Sequence, residues 1–103
     1  MSNTIEAANA LKTRLAKAAS VINEPCPGLE LPKGYNEAIV ELEDIILDFK
    51  TLSHSTDKEA PINAEILAIP GNYRKRTEYY MTEEYLGRIE YLIDKFIQYN
   101  SYE

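Results

Sequence analysis

Eight apolar residues between Tyr35 and Leu52 constrain the fold of this chain more than any other feature. Tyr35, Ala38, Ile39, Leu42, Ile45, Ile46, Phe49 and Leu52 recur at spacings of three and four, which gathers them within about 120° of a helical wheel. A strand would alternate its faces, so residues 35–53 are read as an amphipathic helix that needs apolar neighbours. The chain supplies them. Ile5, Ala8, Leu11, Leu15, Ala18 or Ala19 and Ile22 predict a helix over residues 4–23. Tyr85, Leu86, Ile89, Leu92, Ile93, Phe96 and Tyr99 predict another from near Thr82 to about Tyr99, facing inward.

Proline and glycine separate these segments. PCPGLELPKG, residues 25–34, ends the first helix, and Leu29 and Leu31 are expected to pin that connection onto the core. SHSTDKEAP is a polar loop in which Thr56 and Glu59 form a capping pair, as Asn3 and Glu6 do at the first helix, with Ser2 and Thr4 as competing caps. Residues 61–69, PINAEILAI, fit a short helix begun by Pro61, and fit a buried strand less well. Gly87 inside the last helix costs roughly 1 kcal/mol relative to Ala, which suggests a close contact there. The expectation is one all-α domain over residues 1–103: a compact bundle of three long amphipathic helices and one short one, joined by Pro/Gly loops.

A length of 103 residues suits one modest core, and 45% hydrophobic residues place the chain among globular proteins. The net charge of −6 opposes direct binding to nucleic acid or anionic lipid and favours encounter with a basic protein surface. One cysteine, Cys26, excludes an internal disulfide. The N-terminus lacks an apolar signal-peptide core and no run reaches a membrane span of ~18 apolar residues, so a cytoplasmic protein without a membrane role is expected.

Catalytic signatures are missing from the sequence. One His and one Cys cannot build a zinc site, and no Glu-x-x-His pair offers a di-iron ligand set, so neither metal nor cofactor is expected. His54 and Cys26 fall in different loops with nothing to orient a base. The four glycines form no phosphate-binding loop. The chain is read as a non-enzyme.

Two surface features remain. Glu37, Glu41, Asp44 and Asp48 follow spacings of four, three and four, with no Lys or Arg among them, and residues 35–60 carry seven acids against two bases. Like charges at i,i+4 each cost a few tenths of a kcal/mol, so the row is read either as a solubilising face or as a ridge for a basic partner. Arg14 and Lys17 are placed away from the first helix's apolar stripe. The second feature is YRKRTEYYM: Arg74, Lys75 and Arg76 lie between Tyr73 and the pair Tyr79 and Tyr80. These residues are read as an anion or nucleotide site with tyrosine stacking faces, or as an internal clamp on the acidic stripe. Tyr80, Arg88 and Tyr91 extend a Tyr/Arg face along the last helix. Val40 and Leu47, off the main arc of the second helix, are either a homo-oligomer contact or the seat of the short helix.

The leading functional expectation is a small acidic binding protein that occludes or recruits a protein partner, a style that suits phage or mobile-element inhibitors. A small-ligand binder and a structural subunit of a helical assembly are the alternatives.

Overall fold

The computed structural model describes residues 2–28, 30–56, 61–73 and 82–101, and every regular element among them is a helix. Helix α1 spans Ser2–Ile22, α2 Tyr35–His54, α3 Pro61–Leu67 and α4 Thr82–Asn100. The all-helical expectation holds, with three long helices and one short, and residues 61–67 are helix.

Contacts between side chains fix the directions. Arg14 of α1 reaches Glu41 and Asp48 of α2, while Ile22 lies at the end of α1 near Pro32 and Tyr35, so α1 and α2 are antiparallel. Lys12 pairs with Asp94 and Ile22 lies near Thr82, so α1 is antiparallel to α4 as well. Short α3 runs back along α4, with Ile62 beside Gln98 and Glu65 paired to Arg88. The order is therefore down, up, down, up, and α2 and α4 are parallel.

The core is the set of apolar stripes read from the sequence. Leu42, Ile45, Ile46 and Phe49 of α2, Ile89, Leu92 and Ile93 of α4 and Ile66 of α3 have no exposed surface. Small Ala8 and Ala18 on the buried stripe of α1 leave room for its neighbours to approach. The α2 and α4 stripes meet through Phe49 and Phe96, whose rings stand edge-to-face at 5.6 Å between centroids and 89° between planes. Buried Ser53 donates to Asn63 Oδ1 at 2.8 Å, which fixes α3 to the end of α2 with a satisfied polar contact. Gly34 precedes α2 with φ of 82°, a left-handed conformation that a side chain would strain.

Several local expectations change. Helix α1 already includes Ser2, so Asn3 lies inside its first turn and is not its cap. Thr56 donates to the Ser53 carbonyl at 2.8 Å and so closes α2, while Glu59 lies outside the described residues. Leu31 is exposed, and buried Pro32 anchors the 23–34 connection in its place; Leu29 lies outside the described residues. Tyr99 is exposed on the flank of α4, beside α3. No close contact explains Gly87, since a Cβ built there meets nothing within 4 Å.

Phe49→Ala should cost about 3–5 kcal/mol in a urea melt, because it opens the centre of the core. A double-mutant cycle with Phe96→Ala should return a coupling of about 0.5–1.5 kcal/mol, and a coupling of zero would remove the ring contact from the core. Gly87→Ala should raise stability by roughly 0.5–1 kcal/mol, since the helix gains propensity where space is open.

Candidate functional site

The acidic residues of α2 divide between two roles. Arg14 projects from the flank of α1's apolar stripe, toward α2. Its Nε and Nη2 donate to the two carboxylate oxygens of Glu41 at 3.0 and 2.9 Å, and its Nη1 donates to Asp48 at 2.8 Å. One planar guanidinium thus spans two acids seven residues apart, a geometry that a lysine could not reproduce. These bonds hold Arg14 further above its already high range and pull the Glu41 carboxyl below the usual carboxylate range. No Lys or Arg lies among the four acids in sequence, but α1 brings one to them in space. Arg14 accordingly does not point away from the interface.

Glu37 and Asp44 are different. Both are exposed, and among the described residues neither has a cationic partner. Between and beyond them Val40 and Leu47 are 58% and 63% exposed. These two sit on the side of α2 opposite Phe49, so they are not the seat of α3, which packs at Ser53. Together, Glu37, Val40, Asp44 and Leu47 form an outward face of mixed acid and hydrocarbon.

The opposite flank of α2 is structural. Glu43 accepts the backbone N–H of Tyr73 at 2.8 Å and fixes the segment after α3. Tyr73 itself is buried, edge-on to Tyr85 at 6.1 Å, with its hydroxyl near those of Tyr35 and Thr82 at 3.5 and 3.3 Å. It is a packing residue and not an open stacking face. Arg74, Lys75, Arg76, Tyr79 and Tyr80 lie outside the described residues. Lys50, on this same flank, is half-buried, and that burial pushes its ammonium pKa down.

On α4, Arg88 donates to Glu65 of α3 at 3.0 Å and lies 6.0 Å from the centre of the Tyr91 ring, with Lys95 Nζ 5.6 Å from it. Tyr91 is therefore an exposed ring between two cations. It borders a groove of about 420 Å³ with Pro61, Ile62, Glu65, Gln98 and Tyr99. Arg88 and Tyr91 do share a face, as their spacing of three requires. Sequence reasoning missed Arg14, Glu65 and the Lys12–Asp94 pair, because one helix's periodicity carries no information about its neighbour's charge.

Among the described residues no three His, Cys, Asp or Glu side chains converge on a metal-sized site, and no helix is long and apolar enough to cross a membrane. No family model matches the chain, and no curated protein or solved structure is significantly similar to it.

The Arg14 bridge has a pH signature. Glu41 is depressed by its bonds to Arg14, so the bridge contributes in full above the unfolded carboxylate pKa of about 4.3 and is lost as pH falls through the lower folded value. Arg14→Ala should cost roughly 1–2 kcal/mol near pH 7, above the ~0–1 of a single exposed pair and discounted for partial solvent screening. Urea melts should show that deficit shrinking at pH 3. An equal deficit at both pH values would mean that Arg14 acts by packing alone.

Proposed function

We propose that this is a small non-catalytic binding protein that occludes or recruits a protein partner, and that the outer face of α2 is where it does so. The reading rests on the unequal treatment of one acidic row: Arg14 takes up Glu41 and Asp48, while exposed Glu37 and Asp44 have no cationic partner among the described residues and lie beside exposed Val40 and Leu47. Glu37 and Asp44 lie four and three residues from Glu41, a like-charge spacing that does not favour the helix, and exposed Val40 and Leu47 add little to the core. Their combination suits a surface covered by another molecule. A basic partner would be steered by the chain's net charge of −6 and held by these carboxylates.

Glu37→Lys/Asp44→Lys tests this without touching the Arg14 bridge. The variant should keep the wild-type helical spectrum and melting temperature, while capture of the partner from a lysate of the native cells falls at least tenfold. Wild-type association should also slow with added salt, as screening shortens to ~8 Å near physiological ionic strength. Equal capture by variant and wild type would reduce the face to a solubility feature.

A further inference from the structure

We infer that the occupant of this face is an amphipathic α-helix of the partner, with basic residues beside its apolar stripe, lying along α2 over Val40 and Leu47. The inference rests on the binding-face reading above and adds the partner's shape. Its basis is a repeat. Glu37-Ala-Ile-Val40 and Asp44-Ile-Ile-Leu47 each place an acid three residues before an exposed aliphatic side chain, and the two units are seven residues apart. Seven residues are two turns, or about 10.5 Å along the axis. A second helix presents its own side chains at that same interval, so its apolar residues can sit beside Val40 and Leu47 while flanking basic residues face Glu37 and Asp44, as charged flanks set partner choice between paired helices. An extended strand offers same-face side chains every ~6.6 Å, which falls out of step with Val40 and Leu47 after one residue pair.

Charge then chooses among helices. A second copy of this chain, laid antiparallel on the same face, would set Glu37 and Asp44 against the same carboxylates with no described cation between them. A helix bearing Lys or Arg beside its apolar residues reverses that sign. The face is also fixed in place from behind, since Leu42, Ile45 and Phe49 are fully buried and Arg14 holds the flank. The partner helix therefore meets a rigid surface.

A display library of random peptides, selected against the whole immobilised chain, tests the inference. Enriched peptides should carry apolar residues seven apart with Lys or Arg next to them. They should bind Val40→Ser/Leu47→Ser at least tenfold more weakly, while that variant keeps the wild-type circular dichroism spectrum. Enrichment of acidic or proline-rich peptides, or binding unaffected by the substitutions, would overturn it. So would a dimer in sedimentation that disappears in Val40→Ser/Leu47→Ser, which would assign the face to a second copy. The two readings fail separately. If Glu37→Lys/Asp44→Lys abolishes capture of the native partner and Val40→Ser/Leu47→Ser does not, the acidic face stands and the helical occupant falls.

Discussion

Helices α2 and α4 run parallel, and Phe49 and Phe96 meet edge-to-face between their C-terminal halves. Parallel helices align their macrodipoles unfavourably, so this pair depends on apolar burial and on the antiparallel helices beside it. With the two rings in place, α1 covers one side of the seam with Leu11, Leu15 and Ile22 set among alanines, and α3 covers the other with Ile62 and Ile66. Buried polar groups among the described residues are paired: Ser53 with Asn63, Asn100 with the Phe96 carbonyl, and, toward the start of α4, Tyr85 with the Pro70 carbonyl.

Helix α2 consequently has four sides with four duties. One faces the core, one is tied to α1 by Arg14, and one is tied through Glu43 to the chain leaving α3. Only the fourth, bearing Val40 and Leu47, has no described element against it. The proposed function uses the side that the fold leaves over, and so the binding surface need not disturb the packing that supports it.

The elements were legible in the sequence because a 3.6-residue period over many residues is a strong signal, and prolines and Gly34 supplied the breaks. The buried faces of α1, α2 and α4 followed from the same period. What the sequence could not supply was relative placement. Tyr99 fits the inward arc by angle, yet the flank it occupies looks along α3 into solvent. Glu41 and Asp44 look equivalent on a helical wheel, and only the position of α1 separates an acid bridged by Arg14 from one with no cationic partner among the described residues. Glycine inside a helix suggests a close contact at Gly87, yet open space surrounds it. Charge pairing between helices is a property of the assembled bundle, so the candidate site was half visible: its acids could be read, and their division could not.

Lys12 and Arg14 lie two residues apart on α1 and leave opposite flanks of its apolar stripe, one toward Asp94 and the other toward Glu41 and Asp48. The stripe between them sets Leu11, Leu15 and Ile22 among the smaller Ala8 and Ala18, so its relief is uneven along the helix. A shift of α1 by one turn, ~5.4 Å, would bring large side chains to places now filled by small ones and separate both cations from their acids. The two pairs thus brace, at the helix midpoint, the axial position and rotation that the packing already favours. Hydrophobic burial holds α1 in place, and half-exposed charge pairs on both flanks add a smaller preference for the same register.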